Sequence, residues 1–262
     1  MFRNRFTSFI LIIVLFFFTM SYSALAYNRQ ESDRLTTLGL KALKRGNNVK
    51  AERYLTSSIK EDPTNDRAHA ALGDYYYLIG KHDKAVEEFK KAIKMGADSH
   101  QLTLRIGKAR YLNKQYKQAI VHLKKLEHIY QRDPKVFILL GDSYRQVKDF
   151  RNSEKKLNKA IMLDANSMIA HLFLGELYWE NNKLRKARAE FEIVRDLPAT
   201  SQGLKEEMDI KISKIDNTLQ EGKLWRLAIP AMVIMIIIPS FLILKKHKRA
   251  HPEDLEEEEF YG

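Results

Sequence analysis

The chain has 262 residues, 45% of them hydrophobic and 30% charged, a composition ordinary for a globular protein and a length sufficient for one or two domains. Lys and Arg number 45 against 33 Asp and Glu, for a formal net charge of +12, which makes acidic partners or anionic surfaces the natural counterparts. With no cysteine, the chain excludes disulfides, thiolate metal sites and a lipid-modified N-terminal cysteine.

Residues 1–26 read as a secretory signal peptide. Arg3 and Arg5 are followed by the apolar run Phe9 to Met20, and Ala24-Leu25-Ala26 supplies the small residues of a cleavage site. The alternative is an uncleaved anchor. Either one sends the following residues out of the cytoplasm.

From residue 27 to 201 the chain repeats. Glycines stand at 39, 73, 107, 141 and 175, a constant spacing of 34. An apolar residue precedes each one. Twelve positions on comes a small residue (Ala51, Ala85, Ala119, Ser153, Ala187), and four further a large apolar one (Leu55, Phe89, Leu123, Leu157, Phe191). The spacing predicts five helix pairs, at about 32–65, 66–99, 100–133, 134–167 and 168–201. Neither helix of a pair can bury its apolar face alone, so the pairs must stack. Close approach of helices A and B explains small residues at the crossing. Repeat three departs most. Arg110 and Lys114 stand at positions held by Tyr76 and Gly80 in repeat two, and Leu126 replaces the small Ala92, which should widen the packing there.

The period and the motif Leu72-Gly73, Tyr76, Ala85-x3-Phe89 resemble the tetratricopeptide repeat (TPR) family, as do Gly175, Tyr178, Ala187 and Phe191. The resemblance implies an all-α fold, a right-handed α-solenoid, with partners bound on the concave face lined by helix A. Residues one and four after the glycine, and three before it, point into that groove in the family. One after gives Leu40, Asp74, Lys108, Asp142 and Glu176; four after gives Leu43, Tyr77, Tyr111, Arg145 and Trp179; three before gives Thr36, Ala70, Leu104, Ile138 and Leu172. The implied occupant is a protein or peptide segment. Leu40 and Asp74 stand where one TPR subgroup needs polar amides to clamp a C-terminal carboxylate, which argues against that mode.

Residues 202–221 predict a capping helix for the open end of the stack, with Leu204, Met208, Ile212, Ile215 and Leu219 on one stripe. Gln220 to Arg226 read as a short connection. Residues 224–244 predict a transmembrane helix: Leu227 to Leu244 carries no charge and spans about 27 Å. Trp225 marks its start, and Pro239 predicts a bend. The basic run at 245–249 places the tail, 245–262, in the cytoplasm. Its acidic stretch from Glu253 to Glu259 reads as disordered, with a cytoplasmic docking motif as the alternative.

No catalytic, cofactor or metal motif stands out. His69 and His171, in phase, read as packing residues, and the pair Glu87-Glu88 as a solvated face. The topology argues against nucleic acid as the partner of the basic region and favours anionic lipid headgroups or an acidic protein. The expectation is a membrane-anchored TPR scaffold exposed outside the cytoplasm, in the periplasm, since the chain has no Asn-x-Ser/Thr sequon. The layout of signal, array and span is similar to TPR members of aerotolerance-type (Bat) membrane complexes. The alternative is an accessory subunit that regulates a membrane enzyme or transporter through its span and tail.

Overall fold

The computed structural model describes residues 28–250. The leader expected at 1–26 and the end of the tail lie outside them. The chain forms two compact units, one ending at Leu177 and one beginning at Tyr178. The described residues are all helical or connecting. The helices are α1 (residues 28–44), α2 (Asn48–Glu61), α3 (Asp66–Leu78), α4 (His82–Met95), α5 (Ser99–Leu112), α6 (Tyr116–Lys124), α7 (Pro134–Gln146), α8 (Phe150–Leu163), α9 (Met168–Glu180), α10 (Leu184–Asp196) and α11 (Gln202–Ala250).

Local chemistry sets the helix ends. Asn65, Asp98 and Asp133 cap α3, α5 and α7, each side chain accepting a first-turn backbone N–H. Asn47 and Asp149 do the same for α2 and α8. The A helices stop by one repeated device. Gly46, Gly80, Lys114, Lys148 and Asn182 are all left-handed, with φ of 71°, 76°, 57°, 63° and 55°. The next residue's N–H reaches back to the carbonyl three residues after each phased glycine: Asn47 to Ala42 (2.9 Å), Lys81 to Tyr76 (2.8 Å), Gln115 to Arg110 (2.9 Å), Asp149 to Tyr144 (2.9 Å) and Lys183 to Tyr178 (2.7 Å). This is the Schellman closure. It forms at Lys114 even though glycine is lost there.

In the first unit each helix packs on the next in chain order, which is the connectivity of a helical solenoid. The phased glycines meet the large apolar residue sixteen positions on, rather than the alanine. A Cβ on Gly39, Gly73, Gly107 or Gly141 would come within 2.6 Å of Leu55, Phe89, Leu123 or Leu157. These four side chains are wholly buried. Where repeat four has serine for alanine, Ser153 Oγ donates to the Gly141 carbonyl at 2.7 Å.

The three consecutive tyrosines of α3 take different places. Tyr75 is buried against Leu55, Ala71 and Leu72 and donates its hydroxyl to Glu52 at 2.9 Å. Burial, reinforced by that carboxylate, pushes its pKa up to about 12. Tyr76 packs against the apolar clusters on both sides of it, with the Lys84 ammonium 5.5 Å from its ring centre. Tyr77 is half-buried and sets its ring edge-on to His82, 5.6 Å between centres.

Four sequence expectations change here. Leu126 does not widen a full helix; α6 ends at Lys124, and Leu126 turns into the core in the following segment. His69 is more than a packing residue. Its Nδ1 lies 2.7 Å from Glu88 Oε2 and its Nε2 lies 3.2 Å from the Pro63 carbonyl. Glu88 is correspondingly buried rather than solvated, and also accepts from Lys91 at 2.7 Å. A buried carboxylate needs such partners to offset lost hydration. Finally Thr36, in the phase of the groove, is fully buried in a hydroxyl network with Ser32 and Ser58.

In the second unit α11 covers α10. Met208, Ile212 and Ile215 are buried there together with Ala187, Phe191 and Val194. The Lys211 and Lys214 ammoniums sit over Phe191 and Trp179, 5.2 and 5.5 Å from the ring centres. Arg188 pairs with Asp216 at 2.9 Å. The connection expected at 220–226 is absent: α11 continues as helix through it, and through Pro230 and Pro239. Among the described residues no helix is long and apolar enough to cross a membrane. The span expected at 224–244 is therefore not found as such; residues 227, 231, 236, 239 and 242–244 fall outside the described side chains. Most of the described ones there are apolar and uncovered. Ile229, Met232, Val233, Ile234, Met235, Ile237, Ile238 and Phe241 are between 46% and 75% exposed.

Candidate partner-binding groove

The row of A-helix positions in the first unit is tied together by contacts between neighbouring repeats. Asp74 accepts two bonds from one Arg105 nitrogen, at 2.6 and 2.5 Å, across a separation of 31 residues. Tyr111 donates its hydroxyl to Asp142 at 2.5 Å across the same separation. Arg145 bridges Asp142 (2.6 Å) and Glu176 (3.0 Å), the latter again one repeat less three residues away. So the residue four after one glycine meets the residue one after the next, and the residue one after meets the residue two before the next. The Arg145 guanidinium also lies 5.6 Å from the Phe173 ring centre.

These contacts sort the thirteen candidate positions. Ile138, Asp142 and Arg145 are buried, so in repeat four the row is filled by its own side chains. Leu43, Asp74, Tyr77, Leu104, Lys108, Tyr111, Leu172 and Glu176 are partly exposed, and Leu40 is exposed. Trp179 belongs to the second unit, where it packs edge-on to Phe191, 5.8 Å between centres. Tyr111 packs in the same way on Tyr116, at 5.7 Å. Burial, with the Asp142 carboxylate second, pushes the Tyr111 hydroxyl well above its ordinary pKa, so it remains a donor at any physiological pH. Burial likewise raises Asp74, and Arg105 opposes that rise.

Lys108 stands apart. It is half-buried between the Asp74–Arg105 and Tyr111–Asp142 links, and among the described residues it has no hydrogen bond or ion pair. Arg105 and Phe173 escaped sequence reasoning. They share a repeat position two before the glycine, and the 34-residue phase alone could have brought them into view. Arg110, at a tyrosine position, instead points across to the preceding repeat: with Asn113 and Gln115 it bonds Asp83, at 2.8, 2.7 and 3.4 Å.

Among the described residues no group of three or more His, Asp or Glu could hold a metal ion.

Comparison with known proteins agrees with this architecture. The family model described as "Tetratricopeptide repeat" matches residues 36–100 and 138–201. The type IV pilus assembly protein PilF of Pseudomonas aeruginosa is 26% identical over 163 residues, 62% of this chain; the match spans 65% of PilF, just under two thirds of that relative. MamA from Desulfovibrio magneticus RS-1 superposes with a TM-score of 0.62 at 22% identity, covering 66% of this chain and 97% of MamA. YrrB, described as a TPR protein with an unusual peptide-binding site, gives 0.61 at 15% identity over 72% of this chain and 96% of its own. At these identities the likeness to solved structures is one of fold alone. The five phased glycines, the repeated Schellman closures and the two matched segments have one common explanation: the chain belongs to the tetratricopeptide repeat family.

Proposed function

We propose that this chain is a membrane-anchored scaffold that holds a protein or peptide segment on the A-helix row of its first unit. The observation that carries the binding site is Lys108. A half-buried lysine with no counter-charge among the described residues, with Tyr77, Leu104 and Tyr111 on the same row, suits a partner segment that brings a carboxylate beside apolar side chains. The peptide-binding site named for YrrB, a protein of this fold, and the assembly role named for PilF, 26% identical, support the reading.

Anchoring rests on α11. A helix apolar on every side suits the hydrocarbon of a bilayer, where its backbone is satisfied internally. The basic run at 245–249 favours the orientation with the tail in the cytoplasm and the repeats outside it, in the periplasm. The scaffold then serves assembly of envelope or membrane complexes.

The test is cross-linking and pull-down from membranes with wild type, Tyr77→Ala and Lys108→Glu. Recovery of partners should fall for both variants. Unchanged recovery of every partner would sink the groove reading. Carbonate extraction of the full chain, and of a deletion of 227–244, tests the anchor separately. A C-terminal reporter that works only outside the cytoplasm should remain silent.

A further inference from the structure

We propose that a cleft between the start of α10 and the middle of α11 binds the phosphate headgroup of an anionic membrane lipid. The cleft, of about 700 Å³, is wholly within the second unit. Five of its lining residues are cations, Lys183, Arg185, Lys186, Lys223 and Arg226, and none is acidic. Lys183 and Lys186 are held over the Tyr178 ring, 5.7 and 5.1 Å from its centre. Arg185, Lys223 and Arg226 are exposed and have no ion pair or hydrogen bond among the described residues. The like charges of Arg185, Lys223 and Arg226 around one cleft repel one another, and an anion between them turns that repulsion into attraction.

Gly222, which also lines the cleft, leaves open space: a Cβ built on it would meet no atom within 4 Å. The α11 residues of the wall, from Thr218 to Arg226, climb one helix face by about 12 Å. They end at Arg226, next to exposed Trp225 and at the threshold of the uncharged stretch from Leu227 to Leu244. A lipid headgroup is the phosphate source that this position supplies. The inference rests on the proposed membrane anchoring. Salt should weaken the binding, since the cations are exposed.

The experiment uses the full chain in detergent, titrated with short-chain phosphatidylglycerol, short-chain phosphatidylcholine and inorganic phosphate. Phosphatidylglycerol should bind saturably and the other two should not. The triple variant R185S/K223S/R226S should bind it about tenfold more weakly or worse, while the charge-retaining R185K/R226K keeps the affinity. Gly222→Leu, which puts a bulky side chain into the lining and leaves every charge in place, should also weaken binding, and it decides the matter if the triple variant does not fold. Undiminished binding by Gly222→Leu and the triple variant overturns the site. Equal affinity for inorganic phosphate overturns the lipid as its ligand, and equal affinity for phosphatidylcholine overturns the requirement for net charge. Carbonate extraction of the wild-type chain scores the anchor by itself: release from the membrane would refute the anchoring without reference to any titration.

Discussion

Replacing Gly141 by alanine should destabilise the first unit, although alanine is the better helix former. The new methyl would stand 2.6 Å from Leu157 Cγ, 2.7 Å from Cδ2 and 3.3 Å from the Leu157 backbone nitrogen. Ordinary carbon contacts are about 3.5–4.0 Å, so a gap of about 1 Å must open. Leu157 is wholly buried and cannot swing away into solvent, so α8 itself has to move. Overpacking of this kind costs about 1–3 kcal/mol. The helical preference of alanine over glycine returns about 1 kcal/mol. The net loss is about 1 kcal/mol, reaching about 2 kcal/mol if α8 resists. The stringent form is a cycle with Leu157→Ala, which removes the obstructing atoms. In that background Gly141→Ala should stabilise, by up to about 1 kcal/mol, because the side-chain contacts are gone and only the 3.3 Å approach to the backbone nitrogen opposes the helical preference. Hydrogen exchange of the α7 and α8 amides, supported by urea unfolding of the detergent-solubilised chain, reads both signs. Stabilisation by Gly141→Ala in the wild-type background would refute the close-approach explanation of the phased glycines.

Lys114→Gly and Lys148→Gly should each stabilise by about 1 kcal/mol, since both lysines hold left-handed backbone that costs an L-residue about that much; thermal unfolding checks it, and a loss in both would overturn the strain argument. Asp142→Ala should cost about 3 kcal/mol or more, because it strips a buried guanidinium of one carboxylate and the Tyr111 hydroxyl of its acceptor. Its denaturation midpoint should fall well below that of Asp98→Ala, which removes only an exposed cap. His122 is half-buried, and burial, then Lys125, Lys90 and Arg110, hold its pKa below the ordinary 6.5. The unfolded chain therefore takes up this proton first, so the contribution is constant above pH 6.5 and stability declines as the pH drops below it. His122→Gln should flatten that part of a stability–pH curve, and an unchanged slope would show that His122 is not responsible.

The fold was legible because its cause is periodic. A glycine every 34 residues, with a large apolar residue sixteen on, encodes a packing contact between two helices of one repeat, and that contact recurs in α1–α2, α3–α4, α5–α6 and α7–α8. The polar links were not legible, because each depends on what a neighbouring repeat offers. Asp74 finds an arginine at Arg105, whereas Arg145 meets Phe173 at the same repeat position. Glu88 looked like half of a solvated pair, since nothing local reveals that His69, nineteen residues earlier, turns toward it. Lys114 was a misfit by residue type, yet the backbone there obeys the hydrogen bonds of the turn and the side chain follows. The end of α6 at Lys124 has no signature in the phase, because Leu126 still occupies a buried position after the helix has stopped.

The unbroken course of α11 has a geometric consequence. A flexible joint would let α10 swivel above whatever holds the distal half of the helix. A single rod of 49 residues does not. It fixes an angle: the side of the rod seated on α10 determines which side of residues 229–241 faces any given direction. Adding or deleting one residue near Gly222 would turn the distal half by about 100° relative to α10, with every contact of the second unit's core preserved. Under the proposed anchoring, the bearing of the distal half relative to α10, as well as its depth, is then written into the chain.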